Sequence, residues 1–165
     1  MTDSTEHSGL VVGLAGELAA NPILGDLRPE FRELISGCCV NVAFQAGERI
    51  ISVGEPADDF WIIRHGRVDI EISGAPRGTI TIARLGPGEI LGVSWIAEPY
   101  MSAFDATAVE RGSAIKVDAA CLRQKCFDDP ELGHELYRRF AGMLGARLRA
   151  TRLQLLDLYG SGDAG

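Results

Sequence analysis

Basic residues are scarce in this sequence and form no continuous basic run. Its 16 Lys and Arg are outnumbered by 23 Asp and Glu, a formal charge of −7. Nucleic-acid binders draw most of their affinity from phosphate contacts, so an acidic chain without a basic run fits that role poorly. Long apolar runs are absent too: no stretch approaches the roughly 18 residues of a membrane span. Met1–Gly9 is polar and acidic, without the charged-then-apolar order of a signal peptide. The expectation is a soluble cytoplasmic protein that touches neither membrane nor nucleic acid. Histidine is limited to His7, His65 and His134, and no two share a metal-binding spacing. No nucleophile–base pair, phosphate loop or carboxylate pair has an interpretable spacing, so we expect no metal site and no enzyme.

Cysteine is sparse as well: Cys38, Cys39, Cys121 and Cys126. Adjacent Cys38 and Cys39 do not make a zinc half-site, which needs intervening residues. Cys121 and Cys126 lie five apart in a helical pattern and so point to different faces. The reading is four reduced thiols acting as small apolar residues.

What remains is an ordinary globular composition, 46% apolar and 24% charged over 165 residues. That length suits one domain with one proper core. Leu10, Leu14 and Leu18 are spaced by four and predict a helix over Leu10–Ala20, stopped by Pro22. A second short helix is expected over Arg28–Ile35, with Phe31, Leu34 and Ile35 on one face and Gly37 at its end. The middle reads differently. Val40–Phe44, Glu48–Val53, Phe60–Arg64, Arg67–Ile72, Thr79–Leu85, Ala103–Val109 and Ala114–Val117 are short β-rich runs separated by glycine turns. Val68, Ile70 and Ile72 alternate with Asp69 and Glu71, the period of a half-buried strand. The fold class is therefore α+β, mainly β: an antiparallel jelly roll or barrel flanked by short N-terminal helices and a long C-terminal helix. The boundaries are a flexible tail at 1–9, a single domain over 10–160 and a flexible end at 161–165. Within the domain the helices span 10–36, the roll 40–118 and the C-terminal helices 119–159.

The last helix carries Leu132, Leu136, Phe140, Leu144, Leu148, Thr151, Leu155 and Leu158 at three- and four-residue steps. Almost thirty residues is far beyond the mean helix length of about 11–12. Such a stripe could pack along its own roll. The density of leucines near the end favours a parallel helix pair in a homodimer, with Leu136, Phe140, Leu144, Leu148 and Leu155 at the seam. Gly133, Gly142 and Gly145 weaken the helix, or allow another helix to approach closely.

Three stretches carry a family resemblance. Phe44–Ile51 followed by Gly54-Glu55-Pro56-Ala57-Asp58 is similar to the first hairpin of the cyclic-nucleotide-binding domains of the Crp/Fnr family. Phe60-Trp61-Ile62-Ile63-Arg64-His65-Gly66-Arg67-Val68 resembles that family's F-Y-[IL]-[IVL]-x-x-G-x-[VA]. Leu85-Gly86-Pro87-Gly88-Glu89-Ile90-Leu91-Gly92 resembles its L-x-x-G-[DE]-x-[FI]-G. Gly54, Gly66 and Gly88 then stand at reversals where positive φ is expected.

The resemblance also implies where a ligand would sit. The family's cassette reads roughly F-G-E-[LI]-x-x-x, then P-R-x-A-[ST]-x-x-A. Its Glu accepts from the sugar 2′-hydroxyl and its Arg pairs with the cyclic phosphate. Its turn also exposes backbone amides to that phosphate. The pocket candidates here are Leu91, Gly92, Val93, Ser94, Trp95, Ser102 and Ala103, with Thr151 from the long helix. Gly92 matches, but Val93 stands at the Glu position and no Arg occurs from Gly92 through Glu110. Losing a desolvated Arg–phosphate pair removes several kcal/mol, and Glu98 and Asp105 would add repulsion. The expectation is no cofactor, with cAMP and cGMP disfavoured. Arg147-Leu148-Arg149-Ala150-Thr151-Arg152 is similar to the family's R-L-x-x-T-[SR], whose Thr reaches the base. Thr151 could equally be a plain helix-contact residue, and Arg149 or Arg152 could supply a phosphate partner. Trp95, Tyr100, Met101 and Phe104 suggest a pocket filled by its own side chains, or one that holds an apolar ligand. Trp61 reads as core.

The family's transcription factors continue into a helix-turn-helix domain, and none follows Gly160 in this sequence. We therefore expect a regulatory or assembly subunit acting through protein contacts, with a ligand sensor signalling through the long helix as the alternative. Gly92-Val93-Ser94-Trp95 and Phe104-Asp105-Ala106 resemble small proteins encoded beside soluble nickel–iron hydrogenase subunits, which makes hydrogenase subunits a candidate partner.

Overall fold

The structure, a computed structural model, describes residues 13–74 and 76–160. The tail expected at 1–9, the helix start at Leu10 and the flexible end at 161–165 lie outside them. Residues 13–19 are helical (α1), and α2 is Pro29–Ser36. Eight strands follow: β1 Cys39–Phe44, β2 Arg49–Ile51, β3 Asp59–His65, β4 Val68–Gly74, β5 Gly78–Leu85, β6 Ile90–Leu91, β7 Asp105–Ala108 and β8 Gly112–Asp118. Two helices close the chain, α3 Ala119–Asp128 and α4 Pro130–Gly160.

Local chemistry sets these boundaries. Asp118 caps α3 by accepting from the Cys121 amide at 2.9 Å. Asp129 accepts from the Leu132 amide at 3.2 Å, and Pro130 occupies the first turn of α4, where a missing amide costs nothing. Gly66 makes the β3–β4 reversal with φ +84°. A Cβ there would also stand 2.9 Å from the Gly112 Cα, so both conformation and space require glycine.

The strands form two antiparallel four-stranded sheets, in the orders β1-β8-β3-β6 and β2-β7-β4-β5. Side chains of the first sheet alternate between two cores. Ile62, Ile90, Ile115 and Val117 join a cluster with Leu18, Phe31, Ile35, Leu122, Leu132 and Phe140, on the helix side. Ile63, Leu91 and Ala114 join Phe44, Ile51, Val68, Ile70, Ala106 and Ala108 between the sheets. The roll interior and the helix platform therefore share one wall, the β1-β8-β3-β6 sheet.

The long helix divides in two. Leu132, Leu136 and Phe140 are fully buried against the helix-side core, each worth about 1.5–3 kcal/mol. Leu136 and Phe140 were expected at a helix-pair seam, and the structure places them inside the chain instead. The fully buried part of α4 ends at Phe140, and beyond it the helix meets the rest of the chain through Met143 and through Arg147, which donates to the Ile90 carbonyl. Leu144 is half-buried, Leu148 and Leu155 are exposed, and so are Leu153, Leu156, Leu158 and Tyr159. Gly133 marks a close crossing, since a Cβ there would lie 3.0 Å from the Cys126 carbonyl on α3, whereas Gly142 faces open space.

The expectation of four reduced thiols is corrected. Cys38 and Cys121 form a disulfide with Cα atoms 5.9 Å apart, while Cys39 and Cys126 are free and buried. Strand register brings the pair together. Cys39 faces Val117 across β1 and β8, and the Asp118 amide donates to the Cys38 carbonyl at 2.9 Å. The end of α2 therefore meets the start of α3, although 83 residues separate the two cysteines.

Candidate functional site

The candidate site begins where β6 ends. Leu91 is buried in the roll interior. Gly92 follows with φ +85°, and a Cβ there would meet Ile51 Cδ1 at 3.3 Å and Trp61 Cζ3 at 3.5 Å. The Cβ side of Gly92 is thus lined by Ile51, Trp61 and, at 3.5 Å, the Asp59 carbonyl. Trp61 is half-buried and packs on the roll-interior cluster, in line with its reading as core. Val93 and Ser94 are half-buried, and the chain turns at Ser94–Trp95 without forming a helix.

Trp95 leaves the candidate pocket altogether, which corrects its placement there. Its side chain crosses to the helix side, where it is 1% exposed and stacks on Phe60 at 5.1 Å and 14°. Phe140 meets it edge-on at 5.1 Å, and Tyr137 lies at 5.9 Å. Its carbonyl accepts from Arg123 Nη1 at 3.0 Å, and that guanidinium lies 4.3 Å over the Tyr100 ring. The residue following a β6-to-turn reversal can point to either core, and the helix-side core holds the aromatic partners.

The second half of the cassette runs beside the turn after β2. Ser102 and Gly54 exchange backbone contact through Gly54 N to Ser102 O at 2.8 Å, and Ser102 N donates to Glu55 O at 2.8 Å. Ala57 N donates to Tyr100 O at 2.7 Å, and Met101 bridges Pro56. The Ser102 amide is therefore engaged within the chain. Ala103 is exposed. The Glu98–Pro99 peptide is cis.

The nearest charges are already paired. Asp105 is buried; it accepts from the Val53 amide at 2.8 Å and from Arg49 Nη1 at 2.8 Å. The Val53 hydrogen bond holds its carboxyl below the usual aspartate range, with Arg49 acting in the same direction and burial opposing it. Glu71, which accepts from Thr107 Oγ1 at 2.9 Å, stands 3.9 Å from Arg49. No sequence spacing links Arg49 to Asp105, because only the pairing of β2 with β7 brings the two together.

Thr151 is exposed, and its hydroxyl donates to the Arg147 carbonyl at 3.0 Å, one turn back on its own helix. Arg149 and Arg152 are exposed as well. Within this run, Arg147 is the residue that turns back to the roll, where its Nη2 donates to the Ile90 carbonyl. Of the predicted pocket residues, Leu91 through Ser94 are contiguous and Ser102 joins the neighbouring turn. Trp95 lies in the helix-side core, Thr151 bonds back to its own helix, and Ala103 is exposed.

Two clefts occur on the helix side. One, of ≈ 500 Å³, lies between the β5–β6 turn and α4, and the other, of ≈ 570 Å³, lies at the α3–α4 elbow. Among the described residues no cluster of His, Cys, Asp and Glu could hold a metal ion, and no helix is long and apolar enough to cross a membrane.

Comparison with known proteins agrees with this architecture. A family model described as cyclic nucleotide-binding domain matches residues 41–129. The CRP-like cAMP-activated global transcriptional regulator of Mycobacterium tuberculosis is 33% identical over 118 residues, covering 71% of this chain and 50% of that protein. The chain thus spans about half the length of that relative. A cyclic nucleotide-binding domain from Methylobacillus flagellatus superposes with a TM-score of 0.75 at 20% identity, covering 89% of this chain and 83% of that one. The regulatory domain of Toxoplasma gondii PKA, solved with cAMP, superposes with a TM-score of 0.67 at 17% identity, covering 87% and 51%. At these identities the two structures bear on the fold alone.

Proposed function

The chain belongs to the cyclic nucleotide-binding domain family, and we propose that it is a non-enzymatic regulatory or assembly subunit that does not hold cAMP or cGMP in the family manner. The observation that carries this reading is the cassette. Val93 takes the position of the family's ribose-binding Glu, and no Arg stands where the family's phosphate-binding Arg belongs. The geometry supports it. Ile51 and Trp61 pack beside Gly92, the Ser102 amide is engaged by the Glu55 carbonyl, and Arg49 is held by Asp105. A monoanion brought there would meet the ionised Asp105 and find no free guanidinium from the cassette. A buried charge without a partner is strongly disfavoured.

The output then lies in contacts made by α4. Its exposed leucines from Leu148 onward suit a two-fold helix pair with a second copy. The remaining roll surface is left for a different chain, and the Gly92–Trp95 and Phe104–Ala106 resemblance points to subunits of a soluble nickel–iron hydrogenase or another redox complex. Purification at native expression level tests this. The reading expects a stoichiometric complex with such subunits, and isolation as a free homodimer would contradict it. The second reading, a cyclic-nucleotide sensor that shifts α4, is favoured by the relative described as cAMP-activated. Affinity for cyclic nucleotide separates the two.

A further inference from the structure

We propose that the cleft between the β5–β6 turn and α4 binds a small monoanionic carboxylate with an apolar body, gripped by Arg147. Its volume of ≈ 500 Å³ lies within the roughly 300–1,000 Å³ typical of ligand sites. Pro22, Ile23, Pro87, Met143 and Ala146 supply apolar walls, which is the usual composition of such a site.

Two arginines line the cleft, and they differ. Arg139 is engaged by Asp26, by Glu135 at 3.4 Å and by the Ile23 carbonyl at 3.1 Å. Among the described residues Arg147 donates to the Ile90 carbonyl alone, and no carboxylate lies within ion-pair distance of it. A guanidinium has five N–H donors in a planar fork, so most of its donors have no acceptor among the described residues. Burial lowers the Arg147 pKa, the direction expected of a cation whose charge is incompletely balanced, and Glu89 opposes this only in part. A carboxylate matches the fork with two parallel charge-assisted bonds. Asp26 and Glu89 on the same walls disfavour a dianion, which selects a carboxylate over a phosphate. An occupant would touch both the turn that leads into β6 and α4 near Met143–Arg147. It would therefore set how the long helix seats on the roll, whatever the roll interior holds.

Methyl NMR of the full chain tests this, at a pH above the second pKa of phosphate, with benzoate as the probe, benzamide as its neutral match and inorganic phosphate as the dianion. Benzoate should shift the Ile23 and Met143 methyls saturably in the millimolar range. Benzamide and phosphate should bind more weakly, benzamide by about tenfold, which corresponds to loss of a charge-assisted hydrogen bond. Arg147→Met should weaken benzoate to the same degree. Ala146→Trp, at an exposed position on the cleft wall, should block binding with Arg147 intact, and it carries the test if Arg147→Met fails to fold. No methyl shifts at tens of millimolar benzoate would overturn the proposal. So would equal binding of benzamide, tighter binding of phosphate, or unchanged binding to both variants.

Discussion

Replacing Trp95 with alanine should detach the long helix from the roll. The indole is 1% exposed and lies between Phe60 from β3 and Phe140 and Tyr137 from α4. Burying an aromatic of about 150–250 Å² at about 25 cal/mol per Å² corresponds to roughly 4–6 kcal/mol. Large-to-small substitutions of buried aromatics cost about 3–5 kcal/mol once partial relaxation is included. We expect Trp95→Ala to cost about 4 kcal/mol, a large part of the 5–15 kcal/mol typical of a domain. Trp95→Phe makes the sharper comparison. It retains a ring between Phe60 and Phe140, and it removes an indole Nε1 that is buried without a hydrogen-bond partner. An unsatisfied donor costs about 1–3 kcal/mol, which offsets part of the lost volume, so Trp95→Phe should cost no more than about 1–2 kcal/mol. Urea unfolding followed by far-ultraviolet circular dichroism measures both. A Trp95→Ala loss below about 1 kcal/mol, or equal losses for the two variants, would refute the reasoning that this residue is a structural anchor.

Three further outcomes are expected. Burial pushes the Cys39 thiol up to about 12 and Cys126 to about 11, so a thiol reagent should label neither quickly in the native protein. Denaturation without reductant should expose the two free thiols and reduction the other two, whereas four labelled thiols without reductant would contradict the Cys38–Cys121 bond. Asp105 has a folded pKa below its ordinary value, so its stabilising contribution is present above the ordinary carboxylate pKa of about 4 and is lost as pH falls through the folded value. Asp105→Asn should therefore flatten the acid limb of stability against pH, and superimposable limbs would contradict this. Leu148→Asp places a charge on an exposed residue of α4, so light scattering should report a monomer with unchanged helicity; an unchanged dimer mass would contradict the helix pair.

Much of the fold is legible in the sequence because its strands are amphipathic. Val68 and Ile70 are buried and alternate with half-buried Asp69 and Glu71, as the pattern expects, but the register shifts between Ile70 and Glu71 and Ile72 is exposed, against the expected alternation. Strand β6 has only two residues, Ile90 and Leu91, too few to show a period, and it is defined by pairing with Trp61 and Ile62. The stripe on α4 is visible, but periodicity cannot tell where the roll ends. Leu136 and Phe140 therefore share the pattern of Leu148 while lying in a different environment. The cysteine pairing depends on β1–β8 register, which no local spacing encodes. At the site, the missing Glu and Arg could be read directly from the cassette. Which core receives Trp95, and which arginine of the Arg147–Arg152 run turns inward, depend on packing between distant elements.

The central claim is that the roll has lost its grip on cyclic nucleotide. Isothermal titration calorimetry of the full chain with cAMP and with cGMP tests it most directly. The account predicts no saturable heat at millimolar ligand, because Val93 and the arginine-free segment from Gly92 to Glu110 supply neither polar anchor. Saturable binding of either nucleotide at micromolar concentration would contradict it.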